Sequence, residues 1–487
     1  MKIKFIKKLK SEKGLLVAPI YKEDLKKTPS IYPDFAKDII KKLFTKDHLK
    51  GKSGESEMVY LGKKGMPEKM LLLCIGEKKM MTASRAKDLG GKIGKHLKAA
   101  KIEELTIMWP EELTEFSQMF IEGIMLTQYR FDKYKTKKDK PVSLKVVNIL
   151  GSKANKECEL GFMRAHKISM AVDLTKDLVN FPSNEVDASY IAREARKIAK
   201  DNKYKIAIIG EKELKKMEWG ALLAVNQGSS KEAKCIVLQY DGGGKKDKPI
   251  AIVGKGVIFD TGGVNLKPSG HIETMHQDMA GGAAVLGVFK VLKKLGIKKN
   301  VIGVIPAVEN VISYDAYRPS DIIKTFSGKT VEVTNTDAEG RLILADAITY
   351  AAKLKPESII TIATLTGAVS VALGGRYAGL IGNDDDLIKG LQKAGDAVDD
   401  LGWPLPLHAD YKKKMDSEVA DIRNMDTGSG REAGCSKAAA FLERFVEDNK
   451  WCHIDIGGSA FTTDPKPYQG KGATGHGVEM LLKYLES

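Results

Sequence analysis

Residues 253–263 read VGKGVIFDTGG and predict a buried β-strand that carries one lysine and ends at an aspartate and two glycines. An apolar run bounded by glycines is typical of a central strand in an α/β sheet. We expect Lys255 to lose its proton readily there, because burial disfavours a charged amine, and a neutral amine can ligate a metal ion. For Lys255 alone, the alternative is a strand-end lysine that reaches out to water.

A second stretch, NTDAEGR at residues 335–341, contains two carboxylates close together in sequence. If this segment is extended, Asp337 and Glu339 project to the same side, and Arg341 follows on the same parity. Acids buried at a strand end are costly unless a metal ion or a base neutralises them. Taken alone, the pattern would be interpreted as a surface loop with a salt bridge.

Two more aspartates extend this group of candidate ligands. Asp260 ends the strand at 253–263, and Asp278 lies directly before a helical stretch at 280–295, where a helix N-cap is the alternative interpretation. Four carboxylates and one lysine amine form an oxygen-rich set with one nitrogen. The combined set therefore indicates a site for two metal ions.

At this point the chain resembles the leucyl aminopeptidase family, the cytosolic dinuclear metallo-exopeptidases also called M17 peptidases or cytosol aminopeptidases. NTDAEGRL at 335–342 is the signature of that family. Six other blocks match its motifs in order and character: VGKGVIFDTGG (253–263), LKPS (266–269), DMAGGAAV (278–285), AYRPSD (316–321), ATLTGA (363–368) and HIDIGGSA (453–460). The resemblance covers roughly residues 165–487.

The resemblance implies that two metal ions are held by five side chains. Asp260 and Glu339 would bridge the two ions. Asp337 would bind one ion, while Lys255 and Asp278 would bind the other. The ions would be Mn²⁺ or Zn²⁺, with Mg²⁺ and Co²⁺ as alternatives.

The resemblance also implies the catalytic side chains and the substrate pocket. Two metal ions would activate a shared water molecule for attack on the scissile carbonyl. Lys267 would stabilise the oxyanion, and Arg341 would hold a bicarbonate ion that acts as the general base. The shallow apolar pocket for the first side chain of the substrate would include Met275, Thr364 and Gly367.

The activity implied is removal of the N-terminal residue, leucine or another apolar residue, from short peptides with a free amine. Such enzymes are typically homohexamers, and we expect the same here. A cysteinylglycine dipeptidase is the alternative within the enzymes. The sequence has no HExxH motif, which excludes a mononuclear zincin, and no GxSxG motif, so a serine hydrolase is unsupported.

The sequence departs from the family pattern at a few positions, none of which removes a predicted ligand. Ser320 stands where the family usually has glycine, and His276 lies in the loop before Asp278, where we expect it to be partly exposed. These departures bear on loop shape and substrate preference rather than on the reaction class.

The pattern along the chain predicts an α/β protein with two domains. Short apolar runs alternate with helical patterns in residues 1–150, which predicts a smaller N-terminal α/β domain. Residues 151–178 are predicted to form a connecting helix. Residues 179–487 are predicted to form a larger α/β/α catalytic domain with a central mixed sheet, and the candidate ligands fall at or after strand ends, where such sheets bind ligands.

The positive charge is concentrated in the first part of the chain. Residues 1–150 contain 33 lysines and arginines against 19 aspartates and glutamates, so this part supplies +14 of the net +16. Such asymmetry suggests DNA or another polyanion as a partner, contacted by Lys133, Lys135, Lys137, Lys138 and Lys140. We favour a lysine-rich solvated face, because no recognised nucleic-acid motif is present. A polyanion-binding protein with a secondary enzyme site is thus the competing class.

The remaining features predict a cytoplasmic protein that does not enter a membrane. The sequence contains no run of 18 or more apolar residues, and its basic start lacks the apolar region of a signal peptide. The five cysteines are odd in number and dispersed, without CxxC spacing, as expected in a reducing compartment without disulfides.

Overall fold

The structure, a computed structural model, describes residues 2–9, 14–46, 48–62, 65–137, 144–151, 156–428 and 432–487. The chain divides into two compact units. The first comprises Met1–Ser169 and Asp464–Gly470, and the second comprises Met170–Thr463 and Lys471–Ser487. Helix α4 (Lys156–Asn180) lies in the segment where the connecting helix was predicted.

The first unit is built on a six-stranded sheet of β1 (Lys2–Ile6), β2 (Leu15–Tyr21), β3 (Ser56–Tyr60), β4 (Lys69–Gly76), β5 (Glu104–Met108) and β6 (Val146–Leu150). The strand order is β1-β6-β5-β2-β4-β3, and every neighbouring pair is parallel except β3 with β4. All seven residues of β2 are buried, as expected for a central strand with both faces covered. The helices are α1 (Asp34–Thr45), α2 (Ala83–Ala99) and α3 (Ser117–Leu126), with 3₁₀ turns at Lys22–Leu25, Lys78–Met80 and Glu111–Phe116.

The second unit contains a larger mixed sheet. Its strands are β7 (Lys205–Gly210), β8 (Lys234–Asp241), β9 (Ile250–Gly254), β10 (Gly256–Asp260), β11 (Asn300–Asn310), β14 (Ser358–Ala363), β15 (Ala378–Gly382), β16 (Gly402–Pro404) and β18 (Lys450–Asp455). The order is β16-β15-β18-β14-β9-β11-β8-β7, with β10 paired to β11. The central strands β18, β14, β9 and β11 are parallel, whereas β8 is antiparallel to β11 and β15 to β18. Smaller sheets contain β12 (Ile322–Lys324), β13 (Thr330–Glu332) and β17 (Ile422–Arg423), and β19 (Phe461–Thr462) and β20 (Gly472–Ala473).

Helices cover the central sheet of the second unit. They are α5 (Ala188–Asn202), α6 (Glu211–Lys216), α7 (Gly220–Asn226), α8 (Ala280–Leu295), α9 (Glu339–Lys353), α10 (Ala368–Leu373), α11 (Asp385–Val398), α12 (Ala409–Lys413), α13 (Gly434–Glu443) and α14 (Val478–Tyr484), with a 3₁₀ turn at Met275–Gln277. Helix α8 packs with α5 and α14, helix α9 packs with α7 and α13, and both α8 and α9 contact β9 and β11. The predicted α/β class, with a smaller N-terminal and a larger catalytic part, is confirmed.

Two predicted strands differ from the structure at the candidate site. The strand predicted within 253–263 is interrupted at Lys255, which separates β9 from β10. The segment 335–341, considered as an extended stretch, is not a strand, because β13 already ends at Glu332 and Glu339 is the first residue of α9. Asp337 lies in the turn before this helix, so the extended arrangement of Asp337, Glu339 and Arg341 was wrong. The physical reason is that residues 341–353 favour a helix strongly, and this helix begins as early as Glu339.

The structure also shows the length of the helices and the environment of the cysteines. In the described ranges, no helix is long and apolar enough to cross a lipid bilayer. All five cysteines, Cys74, Cys158, Cys235, Cys435 and Cys452, are buried, and none of them forms a disulfide.

Candidate active site

The candidate ligands meet at one end of the central sheet of the second unit. Lys255 lies between β9 and β10, and Asp260 is the last residue of β10. Asp278 lies at the end of the 3₁₀ turn before α8, and Glu339 opens α9. The carboxyl ends of parallel strands share one edge of a sheet, so these distant segments are brought together there.

Lys255 connects three of these segments through its amine. Its Nζ lies 2.7 Å from Asp278 Oδ2 and 2.7 Å from Glu339 Oε1. It also donates to the carbonyl oxygen of Thr364 at 3.0 Å. The backbone N–H of Lys255 donates to Ile362 O at 3.0 Å, and this hydrogen bond holds the residue between β9 and β10 against β14.

Lys267 connects the other two carboxylates. Its Nζ lies 2.8 Å from Asp260 Oδ2 and also contacts Asp337 Oδ1. Single carboxylate oxygens of Asp260, Asp337 and Glu339 all lie within 4.8 Å of one another, close enough to share a cation. The predicted metal ligands and the predicted catalytic lysine are thus adjacent.

The charges of this cluster are not balanced by its lysines. Four carboxylates face Lys255 and Lys267, and all of them are buried except that of Asp337, which is exposed. Burial raises the pKa of Asp260 to about 7, and repulsion by Glu339 adds to the effect. Burial also raises the pKa of Asp278 well above its ordinary value, against the attraction of Lys255. Additional positive charge from bound cations would relieve both effects.

Two opposing effects act on the Lys255 proton, because the carboxylates around this lysine favour the charge that burial disfavours. Burial lowers the pKa of Lys255, but attraction by Asp278, Glu339 and Asp260 outweighs burial and raises its pKa above the ordinary value. The apolar strand alone reveals only the effect of burial, whereas cations held by the same carboxylates would act against the ammonium charge and favour the neutral amine that ligation requires.

Arg341 lies two residues beyond Glu339 in the first turn of α9 and is buried. Its Nη1 donates to the carbonyl oxygen of Asn424 at 2.7 Å. Its Nε has no hydrogen-bond partner in the described part of the protein. Burial lowers the pKa of Arg341 to about 10, although Glu339 and Asp455 act in the opposite direction. A guanidinium with an unused donor is suited to a small anion.

The three predicted pocket residues lie on two loops. One loop leads to Asp278, and the other contains Thr364, whose carbonyl oxygen accepts the Lys255 ammonium. Met275 is half-buried in the turn that leads to Asp278. Thr364 is half-buried, and its Oγ1 donates to Asp278 Oδ1 at 2.7 Å. Gly367 is exposed at the start of α10, and a β-carbon added there would meet no atom of the described residues within 4 Å. His276 is half-buried, and its ring meets that of Phe461 edge to face at 5.9 Å.

Several residues that support the ligands were missed in the sequence. Asn310 is fully buried, and its Nδ2 donates to Asp260 Oδ1 at 2.7 Å and to Thr336 O at 3.0 Å. Its position at the end of the apolar strand β11, beside β10, was a signal that could have identified it. Asn424 bonds the backbone of Asn335 and Thr334, but it lies far along the chain in a stretch without a recognisable pattern.

Comparisons with known proteins identify the family of the chain. The catalytic-domain profile of the cytosol aminopeptidase family matches residues 173–482, and the N-terminal-domain profile of the same family matches residues 17–138. A probable cytosol aminopeptidase of Syntrophotalea carbinolica is 44% identical over 378 residues, covering 77% of this chain and 76% of that protein. The cytosol aminopeptidase of Rickettsia prowazekii is 40% identical over 426 residues, covering 86% and 85%.

A solved structure shares the whole architecture. The bottromycin maturation enzyme BotP in complex with Mn superimposes with a TM-score of 0.84 at 27% sequence identity, covering 97% of this chain and 99% of that chain. Because both family profiles match in order and together cover most of the sequence, the chain belongs to the cytosol aminopeptidase family and is a metal-dependent aminopeptidase that acts on peptides.

Proposed function

We propose that Asp260, Asp278, Asp337, Glu339 and Lys255 hold two divalent cations. The observation that carries this proposal is the approach of Asp260, Asp337 and Glu339 to within 4.8 Å, with Asp278 joined to Glu339 through Lys255. Two cations would polarise the scissile carbonyl and lower the pKa of the attacking water. In this proposal Asp260 and Glu339 are shared by the two cations, Asp337 binds one, and Lys255 and Asp278 bind the other.

Mn²⁺ is the cation that we propose first, with Zn²⁺ second. A set dominated by carboxylates suits Mn²⁺, whereas the lysine nitrogen also suits Zn²⁺ or Co²⁺. The related structure of BotP contains Mn, which supports the same order. The raised pKa of buried Asp260 supports a cation there, because the carboxylate lacks sufficient positive charge among its neighbours.

Lys267 and Arg341 are proposed as the catalytic side chains. Lys267 is half-buried beside Asp260, so its ammonium can donate to the oxygen on which negative charge develops. Among the described residues the Nε of Arg341 has no hydrogen-bond partner, which supports bicarbonate as a small anion held at that guanidinium. A bicarbonate oxygen would accept the proton that the attacking water releases.

The substrate is proposed to be a short peptide with a free N-terminal amine and an apolar first side chain. The free amine can ligate a cation, which distinguishes an exopeptidase from an endopeptidase. The open space beside Gly367 supports an apolar pocket formed with Met275 and Thr364. Leucine and residues of similar size would be preferred.

The decisive experiment is hydrolysis of leucine p-nitroanilide by the purified protein. The protein is first stripped with a chelator and then supplied with Mn²⁺ or Zn²⁺, beside the variants Asp337→Ala and Lys267→Ala. We expect activity only with added metal and its loss in both variants. Bicarbonate is added or removed in parallel to test the role of Arg341, and a panel that includes Cys-Gly tests the dipeptidase alternative.

The variants separate two parts of the proposal. Asp337→Ala should weaken Mn²⁺ binding, whereas Lys267→Ala should bind Mn²⁺ but remain inactive. Activity that survives chelation, or that persists in Lys267→Ala, would contradict the proposed mechanism. Wild-type protein that binds two equivalents of Mn²⁺ without hydrolysing any peptide of the panel would contradict the proposed substrate class.

Family membership supports a homohexamer in the cytoplasm, which light scattering of the purified protein and fractionation of cells would test. Binding of DNA through the first unit is the less favoured proposal. Lys133, Lys135 and Lys137 are exposed, while Lys138 and Lys140 lie outside the described residues. Absence of salt-sensitive retention on heparin would refute it.

A further inference from the structure

Asp455 is a buried carboxylate that holds the loop between β14 and α10. It is the last residue of β18 and is fully buried. Its Oδ1 accepts the backbone N–H groups of Leu365 at 3.2 Å, Thr366 at 3.4 Å and Gly457 at 3.1 Å. Its Oδ2 accepts the hydroxyl of Thr366 at 2.7 Å. One side chain therefore fixes two consecutive residues of the loop.

The chain around Asp455 is shaped for this close approach. A β-carbon at Gly457 would lie 2.4 Å from the carbonyl oxygen of Thr366, a distance that real β-carbons essentially never show. The N–H of Ile456 donates to Ala363 O at 2.8 Å, which ties the end of β18 to the end of β14. The loop is thus clamped from the backbone and from the side chain of Asp455 together.

The residue that this clamp leaves facing the site is Thr364. Its carbonyl oxygen accepts the Lys255 ammonium at 3.0 Å, and its hydroxyl donates to Asp278 Oδ1 at 2.7 Å. A shift of the loop would move both contacts at once. Loss of a residue that orients metal ligands in this way typically costs about 10- to 100-fold in metal affinity or activity.

We propose that Asp455 is a positioning residue that acts through Thr364 to orient Lys255 and Asp278. This inference rests on the proposed function, since it assigns Lys255 and Asp278 to one cation. Two other roles compete with it. Asp455 could act by its charge on nearby Arg341, or it could stabilise the fold without any specific effect on the site.

The first pair of variants separates position from charge. In Asp455→Asn the amide oxygen can still accept the backbone N–H groups, and Thr366 can reverse its hydroxyl to accept from the new amide. In Asp455→Ala all four hydrogen bonds are lost. We expect Asp455→Ala to lower the Mn²⁺ affinity and kcat/KM by about 10- to 100-fold, and Asp455→Asn to retain both within about threefold.

The second pair tests the path through Thr364 and does not depend on whether Asp455→Ala folds. Thr366→Val removes one donor to Asp455, and Thr364→Val removes the donor to Asp278. If both act through one loop, Thr366→Val should reduce the Mn²⁺ affinity less in the Thr364→Val background than in the wild type. Independent, multiplicative effects would overturn the proposal.

Asp346→Ala is the matched control. Asp346 is also a fully buried aspartate that accepts backbone N–H groups, from Leu222 at 2.9 Å and Phe326 at 2.8 Å. We expect this variant to unfold more easily but to keep the Mn²⁺ affinity and kcat/KM of the wild type when folded.

Mn²⁺ affinity, measured from the electron paramagnetic resonance signal of free Mn²⁺, provides a readout that does not need turnover. Equal losses in Asp455→Asn and Asp455→Ala would assign the effect to charge and overturn the positioning role. Unchanged Mn²⁺ affinity in a folded Asp455→Ala would overturn it as well. An inactive wild type would instead refute the proposed function, while the affinities would still test Asp455.

Discussion

The ammonium nitrogen of Lys255 lies 2.7 Å from the position that a β-carbon at Gly340 would occupy. Gly340 is the second residue of α9, between the proposed ligand Glu339 and Arg341. Glycine in a helix costs about 0.5–1 kcal/mol relative to alanine, so its presence there needs a reason. The reason is that the buried Lys255 side chain passes directly over the start of the helix.

We therefore expect Gly340→Ala to displace Lys255 while leaving the fold intact. Activity should fall by about 10- to 100-fold, as when other supports of metal ligands are removed. The measurement is kcat/KM on leucine p-nitroanilide at saturating Mn²⁺, with circular dichroism to verify folding. Gly390→Ala in α11 is the control, since its nearest atom would be Cε2 of the half-buried Tyr484 ring at 3.0 Å, and it should keep full activity. Wild-type activity in Gly340→Ala would show that Lys255 can move without consequence.

The first side chain of the substrate is the subject of a second prediction. In the part of the chain that the structure describes, no atom lies within 4 Å of the position of a β-carbon at Gly367, so a larger residue can be accommodated there. In Gly367→Leu the new side chain would occupy the proposed pocket. We expect the ratio of kcat/KM for leucine and alanine p-nitroanilides to fall by about 10-fold or more, because each methylene in an apolar pocket contributes about 1–3 kcal/mol. An unchanged ratio would place the pocket elsewhere.

The sequence identified the segments that meet at the candidate site more closely than it predicted their backbone conformation. Asp260 was selected as the residue that ends an apolar strand and Asp278 as the residue directly before a helical stretch, and the structure places them 2.8 Å from Lys267 and 2.7 Å from Lys255, respectively. The conformation around Asp337 was wrong, because alternation suggests a strand only when the following residues do not favour a helix. Asn310 and Asp455 were missed as supports, since a polar residue at a strand end gains its meaning only from neighbouring strands, which a single sequence does not reveal.

Ser320 carries a third prediction, about stability. It has φ of +75°, in the left-handed region, while its N–H donates to Val333 O at 2.7 Å. For a residue with a β-carbon, this backbone conformation costs about 1–2 kcal/mol. Glycine avoids that cost but loses about 0.4–1 kcal/mol through the greater freedom of the unfolded chain.

We expect Ser320→Gly to raise the free energy of unfolding by about 0.5–1 kcal/mol without changing kcat/KM. Urea-induced unfolding followed by tryptophan fluorescence would measure it. A lower free energy of unfolding would mean that the serine side chain makes a contribution larger than its backbone strain.

Asp346 leads to a fourth prediction, about pH. Burial raises its pKa from 3.8 to about 7, against the backbone hydrogen bonds from Phe326 and Leu222. Between these two values the folded protein holds the proton more tightly than the unfolded chain does. The contribution of Asp346 to stability is therefore present at low pH and is lost as the pH rises toward 7.

The comparison needed is the free energy of unfolding of the wild type minus that of Asp346→Asn, measured from pH 4.5 to pH 8. Any constant difference from the altered hydrogen bonds cancels in the pH dependence. We expect the difference to fall with rising pH by up to about 1.4 kcal/mol per pH unit and to level off above about pH 7.5. A difference that rises with pH would indicate that the hydrogen bonds outweigh burial and that the folded pKa is depressed.

The last prediction concerns a buried ion pair in the first unit. Lys87 on α2 lies 2.9 Å from Glu122 on α3, both side chains are almost completely inaccessible, and the ammonium lies 5.1 Å from the ring centre of Tyr468. Removing one member of such a pair leaves an uncompensated buried charge, which costs about 3–5 kcal/mol, whereas apolar replacement of both is often neutral. We expect Glu122→Leu and Lys87→Met each to lower the free energy of unfolding by that amount, and the double variant to lower it by less than either single variant. Additive losses in the double variant, measured by urea unfolding, would show that the two charges do not depend on each other.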